Sequence, residues 1–321
     1  MSENTAPKKA RKNWFLRGGW IAILDGLLVC ALLFGFAYLH HGKVETETGS
    51  YLVSCRNGVV YKLDEGFDVA YNESDTGVFR FPNRFYHSEP QIIENGDTTY
   101  YKDKGCEIAL TEYVLTSGHV QVADVHLADI SYLKAGMANE TYGKGQREDP
   151  LEMTQRLGAA FSMTGDNYSE RLGGVVMRNG VLYSQEIDRD ICVLNWDGTM
   201  DFYRIGEFDL PEIMENGAYQ IWSFGPILVE NGKAAGEYIT DQVAPMRRAA
   251  IGYYEPGHYC FVIMDGDVTA HELAETMVTL GCEDAYALYG GRLAEMNFNG
   301  ATISTTQEVD RKCSDIIMIG K

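Results

Sequence analysis

The sequence contains no CxxC pair and no HExxH, and its seven histidines are scattered. That spacing offers no zinc motif, and it predicts no metal site and no cofactor. There is no Pro- or Ser-rich linker, no low-complexity tract and no internal repeat, which argues against a disordered stalk. Basic side chains are scarce: 27 Lys and Arg stand against 46 Asp and Glu. Six of the basic and two of the acidic side chains fall in residues 1–43, which leaves 21 and 44 beyond, a net of −23. Such a surface excludes nucleic acid and anionic polymers as generic electrostatic partners. It leaves room for a single phosphate group held by a local basic pocket, and a solvated acidic surface of an exported protein is the plainest account of the charge.

The single long apolar run, Trp20 to about Leu39, follows Lys8, Lys9, Arg11, Lys12 and Arg17. A run of roughly 20 apolar residues matches the hydrocarbon thickness of a bilayer. It ends Phe36-Ala37-Tyr38-Leu39-His40-His41, without the small residues of a cleavage site. The pattern predicts a basic cytoplasmic tail over residues 1–18 and an uncleaved signal anchor over 19–40. The positive flank orients it, with the N-terminus inside and everything after about residue 42 outside. The expected location is therefore the cell membrane, single-pass, with the bilayer as partner through residues 19–40. Asp25 lies about two turns into the span on its basic side, where it reaches the interface, pairs with a basic neighbour or another helix, or is protonated. Cys30 reads as one more apolar residue of the span.

The exported part has the apolar and aromatic content of a packed globule, with 45% hydrophobic and 12% aromatic residues in the chain. Six cysteines lie in it, Cys55, Cys106, Cys192, Cys260, Cys282 and Cys313, which permits up to three disulfides in any of 15 pairings. Residues 44–97 read as a β-rich extension of short runs separated by Gly, Asn and Asp. From 98 onward the runs lengthen into strands at 106–114, 119–130, 174–183, 191–195, 201–205, 220–230, 249–254, 258–264, 284–288, 295–298 and 315–319. Two helix starts interrupt them. Asp149-Pro150-Leu151-Glu152 has the form of a capping box with Pro in the first turn. Thr269-Ala-His-Glu272 opens a helix that aligns Leu273, Met277 and Leu280 and stops at Gly281. The fold class expected is a mixed α/β (α+β), strand-rich single domain over 98–321 with a few helices, plus the transmembrane helix.

Four segments, taken in order, resemble the phosphodiester glycosidase family, whose members remove sugars linked through phosphate and include many exported bacterial proteins associated with exopolysaccharide. The first is Gly165-Asp166-Asn167-Tyr168 with Arg171 and Gly174, then Arg178-Asn179-Gly180-Val181-Leu182-Tyr183. Asn179-Gly180 also reads, from residues alone, as a hairpin turn. The second is Ser223-Phe224-Gly225-Pro226 with Val229-Glu230-Asn231-Gly232. The third is Pro245-Met246-Arg247-Arg248-Ala249-Ala250-Ile251-Gly252 with Met264-Asp265-Gly266. The fourth is Ala287-Leu288-Tyr289-Gly290-Gly291-Arg292-Leu293-Ala294-Glu295-Met296. The resemblance runs from about residue 100 to the end.

The resemblance implies a sugar-phosphodiester substrate, with Asp166 as the catalytic acid/base. It implies Tyr168, Arg171 and Arg248 as substrate-binding residues, Arg248 gripping phosphate through a planar guanidinium. Gly290 and Gly291 would bring backbone N–H groups to the phosphate, and Arg292 would add a cation. The chain departs from the family pattern at Thr164 and Ala287, where Asn is usual, at Tyr289, where Asp is usual, and at Leu293 and Ala294, where Ser is usual. Two functions from different classes follow. One is hydrolysis of phosphate-linked sugars in an envelope polymer or exopolysaccharide. The other is a catalytically impaired relative that binds a glycan or a partner protein.

Overall fold

The computed structural model of the chain describes residues 89–115, 118–170, 173–236, 246–305 and 311–320, with the backbone of two short strands at 52–54 and 60–62. The anchor expected over 19–40, Asp25, Cys30, Cys55 and Arg171 lie outside the described residues. Among the described residues no helix is long and apolar enough to cross a membrane.

Three sheets, all antiparallel in their described pairings, build the domain. The nine-stranded sheet runs β15 (Lys233–Ala234), β14 (Ile227–Glu230), β18 (Asp284–Leu288), β16 (Met246–Glu255), β17 (His258–Val268), β6 (Gly118–Leu127), β5 (Cys106–Leu115), β4 (Thr98–Lys102), β3 (Gln91–Asn95). The seven-stranded sheet runs β12 (Met200–Tyr203), β11 (Ile191–Asn195), β13 (Ala218–Trp222), β9 (Gly174–Arg178), β10 (Val181–Glu186), β1 (Leu52–Ser54), β2 (Val60–Lys62). The five-stranded sheet runs β20 (Ala301–Thr305), β19 (Glu295–Phe298), β8 (Phe161–Thr164), β21 (Asp315–Ile319), β7 (Leu133–Met137). Strand-rich architecture with few helices agrees with the fold class read from the sequence. Three strands precede residue 98 and join these sheets: β3 pairs with β4, β1 pairs with β10 at Val53↔Val181, and β2 pairs with β1.

One core serves all three sheets. Phe161 and Met163 of β8, Leu194 and Trp222 of the seven-stranded sheet, and Ile251 and Phe261 of the nine-stranded sheet are buried together. Each such side chain contributes about 1.5–3 kcal/mol relative to exposure. Period-2 alternation sorts β6 and β17 into two faces. Ala123, Val125, Phe261 and Ile263 enter that core, whereas Val120, Val122, Val262 and Met264 pack the other way, with Leu273, Ala274 and Met277.

Those last three belong to α3 (Ala270–Thr279), which starts on a reciprocal capping box between Thr269 and Glu272. The helix α1 (Pro150–Leu157) starts where expected, with the Asp149 side chain accepting the Glu152 N–H at 3.0 Å, and ends on left-handed Gly158. It buries Met153 with Ile316 and Met318. A third helix, α2 (Leu210–Glu215), stands where only strands and turns were expected. Its pattern, Leu210, Ile213 and Met214, is one and a half turns long and too short to show a helical period. The strand expected over 220–230 is two strands in different sheets, β13 and β14, separated by Ser223-Phe224-Gly225-Pro226 with a cis Gly225–Pro226 bond.

All five described cysteines are buried thiols. Three disulfides are therefore not what the described residues display: Cys106 is on β5, Cys192 on β11 and Cys313 in the bridge to Glu148 before β21, and among the described residues Cys260 and Cys282 approach, with sulfurs 3.4 Å apart.

Candidate functional site

The register of β21 against β8 pairs Ile316 with Thr164. Asp315 therefore stands one step past that pair, against Gly165 and Asp166 where β8 ends. The Asp166 N–H donates to Asp315 Oδ1 at 2.7 Å, and the Gly165 N–H donates to the Asp315 carbonyl at 3.2 Å. A Cβ on Gly165 would lie 2.6 Å from Asp315 Oδ1, so this approach requires glycine.

Arg178, the last residue of β9, enters the same point from the seven-stranded sheet. Its Nε donates to Asp315 Oδ2 at 2.5 Å and its Nη2 lies 3.5 Å from Asp166 Oδ2. Its Nη1 donates to the carbonyls of Met177 and Ile221. The guanidinium also lies 5.7 Å from the ring centres of Tyr168 and Trp222. Asn179-Gly180 is the hairpin turn expected, with φ of 53° and 82°. The Asn179 side chain bonds both backbone groups of Ala135, which ties this hairpin to β7.

Asp166 is 3% exposed, and Arg178 and Asp315 are 1% or less. Burial acts oppositely on the two partners of the tight pair. It pushes the Asp315 carboxyl above its ordinary range against the pull of Arg178. It would lower Arg178, which the charges of Asp315 and Asp166 instead hold above its ordinary value. The geometry decides for the charged pair, because both Asp315 oxygens accept hydrogen bonds, one from an amide and one from the guanidinium. Asp166 is equally committed: Oδ1 accepts the Asn167 N–H at 2.7 Å, and Oδ2 accepts the Ser223 N–H at 3.1 Å beside Arg178. Tyr168 is 4% exposed and gives its hydroxyl to the Ser314 carbonyl at 3.1 Å. Burial and then the Asp315 charge push its phenol well up. Tyr142 packs on Tyr168 and Tyr183, with ring centres 5.0 and 5.4 Å away.

The glycine-rich segment closes the other side. The Tyr289 N–H donates to the Gly165 carbonyl at 3.0 Å, and the Tyr289 hydroxyl to Glu170 at 3.3 Å. Burial and the Glu170 charge raise the Tyr289 phenol. Glu170 also pairs with Arg147 at 2.7 Å, and the Phe224 ring meets Tyr289 edge-on at 5.4 Å. A Cβ on Gly290 would lie 2.8 Å from the Arg247 carbonyl, and that carbonyl accepts the Gly291 N–H at 2.7 Å. Arg248 is half-buried, its Nε donates to the Val268 carbonyl at 3.0 Å, and burial lowers its pKa. Arg292 is exposed.

Of the residues named from the sequence, Asp166 and Tyr168 lie together in the buried cluster. Gly290, Gly291 and the backbone of Arg247–Arg248 form one rim, joined to Gly165 through Tyr289. Sequence reading missed Asp315 and the part Arg178 plays. The signal was there: an Asp heading the otherwise apolar Asp315–Ile319, and an Arg closing a buried strand before a two-residue turn. Beside the same end of β8 the Glu295 N–H donates to Thr164 Oγ1 at 3.3 Å, while its carboxylate accepts from the Thr302 hydroxyl at 3.5 Å. An open hollow of about 300 Å³ lined by Leu182, Phe208 and Met214 lies at α2, and none of these residues takes part in the site.

The domain resembles solved structures at the level of fold. The zebrafish N-acetylglucosamine-1-phosphodiester α-N-acetylglucosaminidase catalytic domain, auto-inhibited by its pro-peptide, superposes with a TM-score of 0.52 at 16% identity, over 73% of this chain and 88% of that one. A hypothetical protein from Synechocystis gives 0.53 at 14% identity, over 72% and 68%. In sequence, the SPbeta prophage-derived uncharacterized protein YomE of Bacillus subtilis is 26% identical over 195 residues, which cover 56% of this chain and 30% of that relative's length. The phosphodiester glycosidase family model matches residues 156–320, from the end of α1 through β21, and so takes in every element that meets at Asp166: the chain belongs to the phosphodiester glycosidase family.

Proposed function

We propose that the chain is a membrane-anchored, extracytoplasmic phosphodiester glycosidase that slowly hydrolyses the bond between a sugar's anomeric carbon and a phosphate in an envelope polymer or exopolysaccharide. The observation that supports this reading is the run of backbone bonds that ties Gly165, next to Asp166, to Tyr289, and Gly291 to Arg247. The activity named for the zebrafish relative supports a sugar-1-phosphodiester as the substrate class. Water adds at the anomeric carbon and the phosphate leaves with the bonding pair. Phosphate is a good leaving group, so positioning and anion stabilisation carry more of the barrier than protonation does. Asp166 is the acid/base group, Arg248 the phosphate clamp, and Tyr168 and Arg171 help hold the sugar. Gly290 and Gly291 keep side chains away from the phosphate, and Arg292 adds a cation at the mouth.

A second reading, binding without cleavage, is favoured by one specific feature. Tyr289 stands where family members carry a carboxylate, and a phenol pushed upward by burial supplies none near neutral pH. Loss of one acid–base group costs roughly 10²–10⁴-fold in rate, hence a slow enzyme rather than a fast one. The test is release of free reducing sugar, with the matching phosphomonoester, from a sugar-1-phosphodiester by the purified chain. Release abolished by Asp166→Ala supports hydrolysis. No release above background, together with sugar-phosphate binding that Arg248→Ala abolishes, replaces it with the binding reading.

A further inference from the structure

Asp124 and His126 are two residues apart on β6, so they share a face of the nine-stranded sheet. The register of β17 on β6 sets His258 directly opposite His126, and Cys260 opposite Asp124. The two imidazoles stack with centres 3.7 Å apart and planes inclined by 21°. Asp124 Oδ1 lies 2.7 Å from His258 Nε2 and 3.8 Å from His126 Nε2. One ligating atom from each of the three residues falls within 4.8 Å of the others.

We propose that Asp124, His126 and His258 bind one zinc-class divalent ion outside the glycosidase site. Two neutral imidazoles and one carboxylate are a donor set that suits zinc, with bonds of about 2.0–2.2 Å. Atoms bound to one such ion lie at most about 4 Å apart, so small side-chain rotations close the triangle from the separations present. The ion takes the place of the proton now shared between His258 and Asp124. Water completes the shell, because the helix cover ends here. Val122 and Val262 beneath α3 are 5% and 0% exposed, whereas the side chains of Asp124, His126 and His258 are 42%, 22% and 20% exposed. Neighbours flank both rings. The Tyr254 ring lies 4.2 Å from that of His258, and Glu107, across from His126 on β5, is held by Lys102 at 2.8 Å. The ion cross-links β6 to β17, whose ligands are 134 residues apart in sequence.

The test uses the untagged full chain, stripped with a chelator and titrated with Co²⁺ alone, then with competing Zn²⁺. One equivalent binds, with ligand-field bands that Zn²⁺ removes, and saturating Zn²⁺ raises the melting temperature. Changing an outer partner of a metal ligand costs about 10–100-fold in affinity, so removing a ligand costs at least that. His258→Phe, which keeps the ring stack, and Asp124→Asn, on the other strand, each weaken binding by that much. A Cys260→Ser/Cys282→Ser variant still binds one equivalent. The proposal is overturned if the unmodified chain binds no equivalent, or if His258→Phe and Asp124→Asn both bind as tightly as it does. It is also overturned if the double Cys variant loses the site, which would put the ion on the thiols.

Discussion

Removing Arg178 should be the most damaging single change at the site, and by an amount the geometry supports. Arg178→Met leaves the methylene stem but takes away the only cation among three buried charges. Breaking a buried pair by deleting one partner costs about 3–5 kcal/mol, because the surviving charge stays buried without compensation. Here two carboxylates survive, Asp315 at 2.5 Å and Asp166 at 3.5 Å from the guanidinium, and the carbonyls of Met177 and Ile221 lose their donor as well. A loss of about 5 kcal/mol is expected, comparable to the whole stability of a marginal domain. Asp315→Asn should cost about 3 kcal/mol, because the amide turns a donor toward either the Asp166 N–H or Arg178. Asp166→Asn should cost only about 1–2 kcal/mol. It leaves one amide unsatisfied, but its link to Arg178 is long and it relieves repulsion with Asp315. Urea unfolding followed by the fluorescence of Trp222, whose ring lies 5.7 Å from the guanidinium, reads all three. A neutral Arg178→Met, or an Asp166→Asn as destabilising as Asp315→Asn, would refute the ranking. The ranking matters for function, since it makes Asp166 the member of the trio whose loss removes activity while the fold survives.

Thr269→Ala breaks the capping box that starts α3 and should cost about 1 kcal/mol in denaturant unfolding; an unchanged midpoint would count against the cap. Arg156 bonds Glu148 through two nitrogens at 2.8 and 2.7 Å and lowers its pKa. The folded value lies below the unfolded one of about 4.3, so this stability is present above that pH and is lost as pH falls through the folded value. Glu148→Gln should therefore be less stable than the unmodified chain at neutral pH and equal to it in strong acid, and a constant difference across that range would be the contrary result. Cys260 and Cys282 should cross-link on oxidation, closing a loop of 22 residues and adding about 3 kcal/mol. Peptide mapping under non-reducing conditions reads this, and recovery of both as alkylated thiols would disprove it. Tyr289→Asp with Glu170→Gln, which removes the facing carboxylate, should raise sugar-phosphodiester hydrolysis by at least about tenfold; no gain would favour binding without cleavage.

Local pattern carried the strands and the two capped helices, because period and capping chemistry act over a few residues. Asp149-Pro150 and Thr269–Glu272 announce their helices, and Asn179-Gly180 announces its turn. What local pattern does not contain is which strands become neighbours. Gln220–Glu230 reads as one strand because apolar residues run on both sides of Gly225-Pro226, yet its halves belong to different sheets. Asp315 looked like a strand end until the register with β8 set it against Gly165. The same limit hid Asp124, His126 and His258, which form no spacing motif and meet only across the β6–β17 register. Family resemblance named both Asp166 and the glycine loop, which a backbone bond from Tyr289 to Gly165 links, since an ordered set of four segments encodes long-range placement that periodicity does not.

The departures from the family pattern do not weigh equally once each is placed. Ala287 is buried in the cluster under α3, so an apolar side chain there completes a core. Leu293 and Ala294 are 2% and 0% exposed, and each packs in a hydrophobic cluster, where a serine hydroxyl would need a buried partner. Thr164 has no exposure and accepts the Glu295 N–H, which is a structural bond rather than an open polar group. At these four positions the side chains present are packed or bonded within the fold. Tyr289 differs, because its backbone bonds Gly165 and its hydroxyl donates to the exposed Glu170. The question of a working or an impaired enzyme is therefore put most directly at Tyr289. It turns on whether a phenol at 289 and the Asp166 carboxylate supply what an aspartate at 289 would have supplied.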